Sequence, residues 1–135
     1  MPHRSRVAIL LLDLPPHLHR PGADFWAGVT GREATPSPAD DAWIPLGAVA
    51  GDLRLEVQRT GEGTPPRWHL DVETDDVEAE VTRLEALGAR RLRHVEAADP
   101  QGRGLWQMTD PAGLVFCVVA VQDDEAFERS ARTWP

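Results

Sequence analysis

Residues 67–88 read RWHLDVETDDVEAEVTRLEALG and place a strand directly before a helix. Arg67 to Val72 predicts the strand, which is short and follows a Gly/Pro-rich stretch. Asp75 can cap the helix, with Glu78 three residues later as its reciprocal partner. This stretch therefore predicts a strand–helix unit in the second half of the chain.

The predicted helix has one apolar stripe and a defined end. The stripe consists of residues at helical spacing: Val77, Val81, Leu84 and Leu87. Gly88 supplies the C-terminal stop, because glycine adopts the left-handed conformation that ends many helices. The stripe indicates the face that packs on a sheet.

Strands and shorter helices are predicted around this unit. The first strand is Val7–Leu12, an apolar run bounded by Asp13. The other strands are Ala42–Leu46, Asp52–Arg59, Arg90–Val95, Gly104–Met108 and Leu114–Val121. Pro15 and Pro16 predict a loop through Arg20, after which a helix runs from Pro21 to Gly31 with Phe25, Trp26 and Val29 on one face. Residues 110–113 predict a turn, and residues 123–132 a short helix in the tail.

The element order repeats, which predicts two modules. Residues 7–14 align with 67–74 at an offset of 60, and 53–57 with 114–118 at an offset of 61. We expect one α+β domain with module one at about 6–60, a linker at 61–66, module two at about 67–122 and a tail at 123–135. Each module is predicted to be βαβββ. A ferredoxin-like βαββαβ order is the alternative, but it leaves one strand in each half unassigned.

Composition excludes several classes of function. The 135-residue chain has a formal charge of −8, which disfavours nucleic acid and anionic membranes as partners. All fourteen basic residues are arginine, so Schiff-base chemistry on lysine is excluded. Cys117 is the single cysteine, and no apolar run is long enough to span a membrane, so a cytoplasmic location is expected.

Three segments of the second half carry a family resemblance: residues 67–72 (RWHLDV), 80–90 (EVTRLEALGAR) and 106–119 (WQMTDPAGLVFCVV). In the first half, residues 25–31 (FWAGVTG) and 55–59 (LEVQR) add a thinner match. Together they resemble the glyoxalase-like branch of the vicinal-oxygen-chelate superfamily, over nearly the whole chain. The resemblance implies a curled, cup-shaped mixed sheet with the helices outside.

The same resemblance implies a cup that binds a divalent ion and a small substrate. The family's four ligand positions fall on Ile9, Glu56, His69 and Cys117. Ile9 has no donor atom, which leaves the glyoxalase-type metal site incomplete. His69 and Glu56 are therefore the predicted catalytic and metal-binding residues, with either no ion or a weakly bound one.

Further residues are predicted to bind a ligand in the cup. Period-2 alternation places Leu55 and Val57 towards the helix and Glu56 towards the cup; Phe116 and Val118 likewise face the helix and Cys117 the cup. The predicted ligand-binding residues are Trp43, Gln58, Trp68, Asp71, Trp106, Met108 and Cys117. An aromatic lining of this kind suits a flat, apolar ligand.

The sequence favours a small-molecule binding protein without metal chemistry, because Ile9 lacks a donor. The alternative is a metal-dependent lyase, isomerase or dioxygenase, which His69 and Glu56 keep open. A third hypothesis, a partner-binding module, is weaker because no peptide groove is indicated. A homodimer is expected, since open edge strands favour pairing with a second chain.

Overall fold

The computed structural model describes residues 2–96 and 104–135. In chain order the elements are β1 (His3–Leu14), α1 (Pro16–Thr30), β2 (Trp43–Ala50), β3 (Leu53–Arg59), β4 (Arg67–Thr74), α2 (Val77–Ala86), β5 (Arg90–Val95), β6 (Leu105–Thr109), β7 (Val115–Ala120), α3 (Asp124–Ser130) and β8 (Arg132–Trp134). The strands belong to one mixed sheet in the order β2-β3-β1-β4-β7-β6-β5, and β8 pairs with β1. The predicted α+β class is confirmed.

The chain divides into two compact units, residues 9–69 and residues 1–8 with 70–135. The second unit contains α2 followed by β5, β6 and β7, in the predicted order. The first unit has β2 and β3 after α1, one strand fewer than predicted. Residues 32–42 form no strand there, because their prolines cannot donate to a ladder. Within the described part of the chain, no helix has the length and apolarity to cross a membrane.

In the first unit, α1 packs on the sheet through small residues. The helix starts at Pro16, so the predicted loop to Arg20 and the predicted start at Pro21 are both wrong; Pro21 lies inside the helix. Its buried residues are His19, Ala23 and Ala27. Burial lowers the pKa of His19, whose Nε2 donates a hydrogen bond to the Ala42 carbonyl oxygen at 3.1 Å. His19 is therefore a structural residue.

Two large apolar residues of α1 lie outside this packed face. Phe25 is 63% exposed and Val29 is also exposed, so of the three residues predicted on one face only Trp26 packs, partly buried, against the core. Ala23 and Ala27 are four residues apart and share one side of the helix. Their small side chains allow the helix to approach the apolar side of β1, β2 and β3, where Leu55 and Val57 are buried as predicted.

Substituting alanine for two glycines of α1 is expected to change the free energy of unfolding in opposite directions. A Cβ at Gly22 would lie 2.2 Å from Cδ1 of Leu14, a core residue, whereas a Cβ at Gly28 would meet nothing within 4 Å. We expect Gly22→Ala to lower the free energy of unfolding by about 1–3 kcal/mol through overpacking. Gly28→Ala should raise it by about 0.4–1 kcal/mol, because alanine has less freedom in the unfolded chain.

Urea denaturation of both variants beside the wild-type protein measures this difference. Equal effects of the two alanines would contradict the close packing of α1 at Gly22.

In the second unit, α2 begins one residue later than its predicted cap. The Asp76 side chain caps the helix by accepting from the Ala79 amide at 3.0 Å. Asp75 instead accepts hydrogen bonds from the Arg4 amide at 2.7 Å and from Arg4 Nε at 3.0 Å. The local pattern places a carboxylate at the helix start, but the pairing with β1 decides which of the two aspartates caps it.

The buried side of α2 is part apolar and part ionic. Val81 is buried against Met108 and Val118, with Phe116 and Trp106 packed around them. The predicted stripe is wrong at its end, because Leu87 is exposed.

Glu80 lies on the buried side of α2 instead, and its carboxylate accepts hydrogen bonds from residues on two elements. The donors are His3 Nε2 at 2.5 Å, Ser5 Oγ at 3.1 Å, Arg83 Nε at 3.0 Å and Arg83 Nη2 at 2.6 Å. The Glu80 carboxylate thereby ties the start of β1 to α2.

The C-terminal tail joins the same network. α3 is confirmed at Asp124–Ser130, but β8 after it was not predicted; it pairs antiparallel with residues 3–5 of β1. Trp134 lies under the guanidinium of Arg83, at 3.8 Å from ring centroid to Cζ. Its Nε1 donates to Ser5 Oγ at 2.8 Å. The Trp134 side chain thus holds β8 against Arg83 and Ser5, two of the residues that donate hydrogen bonds to Glu80.

Candidate functional site

A buried carboxylate at the end of β1 organises the first candidate residues. Asp13 is 1% exposed, and its Oδ2 accepts hydrogen bonds from His69 Nδ1 at 2.8 Å and Arg67 Nε at 2.9 Å. The other carboxylate oxygen, Oδ1, is buried and has no hydrogen-bond partner within residues 2–96 and 104–135. A buried acceptor left in this way is costly, so the site has a place for one more donor or a cation.

The Asp13–His69 hydrogen bond fixes the imidazole. A carboxylate accepts, so we assign the proton to Nδ1 of His69, which leaves Nε2 as the acceptor nitrogen. Histidines that bind metals or transfer protons are commonly held by a carboxylate in this way, because the hydrogen bond sets both tautomer and ring orientation. His69, which was predicted as a site residue, thus has the carboxylate-bound arrangement of histidines that bind metals or transfer protons.

Two predicted ligand-binding residues lie beside Asp13 on the face of β1, β3 and β2 opposite α1. Asp13 pairs in register with Gln58, and Gln58 pairs with Trp43. The three side chains share that face because partners in register point the same way. Trp43 and Gln58 are partly buried.

In the other unit, a row of polar residues in register crosses β4, β7 and β6. Asp71 pairs in register with Cys117, and Cys117 pairs with Gln107. The row lies opposite α2, since Val118 and Met108, the next residues along their strands, pack against that helix. Asp71 and Cys117 are buried. The predicted placement of Cys117 away from the helix is confirmed.

Three potential metal ligands come together around β4. The ligand atoms that His69, Asp71 and Cys117 can offer all lie within 4.8 Å of one another, and all three residues are buried. His69 and Asp71 are two residues apart on β4 and share one face of the strand. An imidazole nitrogen, a carboxylate oxygen and a thiolate sulfur suit a borderline ion such as Zn²⁺.

Two of the four positions that the family resemblance implies for metal binding have other surroundings. Ile9 is buried and has no donor atom. Glu56 lies opposite α1 as predicted, and its Oε1 accepts a hydrogen bond from Arg54 Nη2 at 3.1 Å. Among residues 2–96 and 104–135, the metal-ligand cluster contains His69, Asp71 and Cys117 and does not include Glu56. The predicted pairing of Glu56 with His69 in catalysis or metal binding stays a prediction.

Three predicted ligand-binding residues lie on the opposite, helix-facing sides of their strands. Trp68 packs edge-on against Trp26 of α1 at a centroid distance of 5.3 Å. Trp106 and Met108 pack around the α2 core, and the Arg91 guanidinium covers the Trp106 ring at 4.8 Å. Alternation along β4 and β6 therefore separates these three from His69, Asp71 and Gln107.

Sequence reasoning missed Asp13, Arg67 and Gln107. Asp13 served only as the polar end of an apolar run, although β1 continues through it to Leu14. A lone carboxylate inside a buried strand is a usable signal, because it requires partners. Arg67 and Gln107 gave no comparable signal, since their roles depend on pairing with distant strands.

Comparison with known families identifies most of the chain. The family described as Glyoxalase-like domain matches residues 11–119. The matched range includes Asp13, His69, Asp71 and Cys117. No curated protein matches the chain by sequence.

Solved structures share the fold at low sequence identity. An NAD-dependent benzaldehyde dehydrogenase from Legionella pneumophila superposes with a TM-score of 0.60 at 11% identity, covering 84% of this chain and 98% of that one. Methylmalonyl-CoA epimerase from Streptomyces coelicolor gives 0.56 at 13%, covering 86% and 94%. Homoprotocatechuate 2,3-dioxygenase from Arthrobacter globiformis gives 0.55 at 17%, covering 87% and 36%. At these identities the likeness shows the fold alone.

Proposed function

The chain belongs to the glyoxalase-like domain family, and on that premise we propose that it binds a small molecule beside His69, together with a divalent ion. The observation that carries this proposal is the buried hydrogen bond from His69 Nδ1 to Asp13 Oδ2 at 2.8 Å. It holds the imidazole in the tautomer that a metal ligand or a general base needs. The ligand is expected on the side of the strands that faces away from α1 and α2.

The donor set fits a borderline divalent ion. An imidazole nitrogen of His69, one carboxylate oxygen of Asp71 and the Cys117 thiolate supply three donors of the kinds that Zn²⁺ prefers. Three protein ligands leave coordination positions for an exogenous ligand, as in catalytic rather than structural zinc sites. Asp71 thereby supplies a donor that the sequence did not assign to the metal, and it offsets the missing donor at Ile9.

Such an ion would act as a Lewis acid on an oxygen-bearing ligand. The chain's own residues have separate tasks. Asp13 orients His69, and Gln107, in register with Cys117, offers an amide that can donate to or accept from a ligand. Trp43 and Gln58 lie beside Asp13 on its own face of the first unit. This arrangement suits a compact polar ligand with an apolar part.

A second candidate function is metal-free binding of a small molecule, as the sequence favours. Two observations support it: Ile9 contributes no donor, and Glu56 is paired with Arg54. In this case Cys117 is a thiol and His69 binds the ligand by hydrogen bonds. Residence in the cytoplasm as a homodimer is part of either proposal.

Zinc titration separates the two candidates. We expect the wild-type protein, stripped with a chelator, to bind one Zn²⁺ per chain in calorimetry, with an affinity that rises with pH because the thiol must lose its proton. His69→Ala, Asp71→Asn and Cys117→Ser should each weaken binding strongly. Glu56→Gln is the matched control and should bind zinc like the wild-type protein.

Two results would count against the metal proposal. One is failure of the wild-type protein to bind zinc stoichiometrically, which leaves metal-free binding as the function. The other is loss of zinc binding in Glu56→Gln, which would restore the Glu56–His69 pair expected from the sequence. Circular dichroism of each variant establishes that it is folded.

A further inference from the structure

A pocket of about 530 Å³ lies on the α1 side of the first unit. Its walls include Leu10, Trp26, Val29, Arg32, Val49 and Trp68. It lies on the opposite side of β4 from His69, because Trp68 and His69 are neighbours in a strand. Its volume falls in the range of sites that hold small molecules, about 300–1,000 Å³.

The pocket is surrounded by apolar side chains that water contacts. Trp68 is 44% exposed, and Phe25, Val29 and Val49 are exposed as well. Phe25 and Trp26 pack edge to face at 5.2 Å, and Trp26 and Trp68 at 5.3 Å, so the aromatic wall is interlocked. A contiguous exposed patch of this kind commonly marks a binding site. Ala23 and Ala27 are buried in the core, whereas Phe25 and Val29 on the same helix stay exposed and accessible to a ligand.

The Arg32 side chain places a positive charge beside these apolar residues. Many described arginines are paired with acids, among them Arg4, Arg6, Arg20, Arg54, Arg59, Arg67, Arg83 and Arg91. The Arg32 guanidinium has no hydrogen bond or ion pair in the part of the chain that the structure describes. The Thr30 hydroxyl is already used, since it donates to the Trp26 carbonyl oxygen at 2.9 Å. Arg32 is therefore the donor that can receive an anionic group.

Gly47 positions this guanidinium. Its φ of +80° is a conformation that favours glycine, and a Cβ there would lie 3.0 Å from both Cζ and Nη1 of Arg32. The missing side chain lets the Arg32 head lie against the backbone of β2, at the rim of the pocket. An arginine fork held in this way matches a carboxylate, which it can bind through two parallel hydrogen bonds.

We propose that this pocket binds a small monocarboxylate with a flat apolar body. The apolar body packs against Trp26 and Trp68, and the carboxylate pairs with Arg32. The proposal is independent of the His69 site, which lies on the other side of the strand. It needs neither a metal ion nor Cys117.

Phenylacetate, with phenylacetamide as its neutral isostere, tests the proposal by calorimetry and tryptophan fluorescence. We expect saturable binding of phenylacetate, and binding of the amide weaker by roughly tenfold or more, because a hydrogen-bonded charge pair is lost. Arg32→Gln should abolish the preference for the acid, and Trp68→Ala should weaken both ligands. Arg20→Gln, on the same helix as Trp26 but outside the pocket lining, is the matched control and should change neither.

Several outcomes would overturn the proposal. Absence of saturable binding, or equal binding of acid and amide by the wild-type protein, removes the role of Arg32. Loss of phenylacetate binding in His69→Ala assigns the ligand to the other site. Sedimentation that shows a dimer dissociating in both Trp68→Ala and Phe25→Ala, without ligand binding, assigns the aromatic wall to a second copy of the chain. Retention of phenylacetate binding in His69→Ala keeps this test separate from the metal proposal.

Discussion

Replacing Glu80 by alanine is expected to lower the free energy of unfolding by about 3–5 kcal/mol, the typical cost of removing one partner of a buried ion pair. The Glu80 side chain is 0% exposed and accepts four hydrogen bonds, from His3, Ser5 and both donors of Arg83. Its loss leaves buried donors without an acceptor and releases the Arg83 guanidinium that packs on Trp134. Urea denaturation measures the change.

Glu78 provides the control on the same helix. Its side chain is 66% exposed and pairs with Arg91 at 2.5 Å. Exposed pairs contribute about 0–1 kcal/mol, so Glu78→Ala should be nearly neutral. Similar losses in both variants would contradict a specific role for the buried cluster.

The same cluster predicts how stability depends on acid. Burial alone would raise the pKa of Glu80, but hydrogen bonds from Arg83, His3 and Ser5 outweigh it and lower the pKa below the usual value of a glutamate. A depressed pKa contributes stability above the unfolded-state pKa, about 4.3, and that stability is lost as the pH falls through the folded-state pKa. Denaturation below a pH of about 4.3 should therefore show a shallower acid loss in Glu80→Gln than in the wild-type protein.

Asp13→Asn is expected to weaken zinc binding by about 10–100-fold, the usual effect of removing a residue that orients a metal ligand. The substitution removes the negative charge that fixes the proton on His69 Nδ1, and the new amide nitrogen can face the imidazole instead of an oxygen. We therefore expect a mixture of His69 tautomers. Nitrogen-15 NMR of the imidazole distinguishes this effect from a loss of structure, because the two ring nitrogens report the proton position directly.

Asp41→Asn is the control for Asp13→Asn. Asp41 also pairs with an arginine, Arg59, at 2.9 Å, but its side chain is 75% exposed. Zinc affinity and the His69 spectrum should be unchanged in this variant. An Asp13→Asn protein with wild-type affinity and a single His69 tautomer would show that the carboxylate does not position the histidine.

Local signals in the sequence were sufficient for several elements. Arg90–Val95 is a strand at its predicted bounds, and Gly88, with φ of +109°, ends the α2 region. The predicted turn at residues 110–113 is closed by a hydrogen bond from the Gly113 amide to the Asp110 carbonyl oxygen at 2.9 Å. These features depend on interactions between residues a few positions apart, so they can be predicted from the local sequence.

The candidate site was predicted only in part. Alternation along β7 placed Cys117 opposite the helix, and the family resemblance pointed to His69. The same alternation does not state which side of an isolated strand faces a helix, so the sequence left open which side Trp68 and Trp106 face; the structure places both, with Met108, on the helix-facing side, and their predicted role in ligand binding stays a prediction. Their positions follow from packing against Trp26 and against the α2 core.

By itself, the sequence determined the α+β class and the main elements, because periodicity, caps and turn residues act locally, and the resemblance of its motifs pointed to the glyoxalase-like family. Only the tertiary structure decided that Asp13 meets His69 across 56 residues and that β8 returns to β1 across the length of the chain. It also decided that Glu80 is buried while Phe25 is exposed. The physical reason is that a hydrogen-bond partner or a buried face is set by strand register and by the closeness of helix packing. Both are settled between residues far apart in the chain.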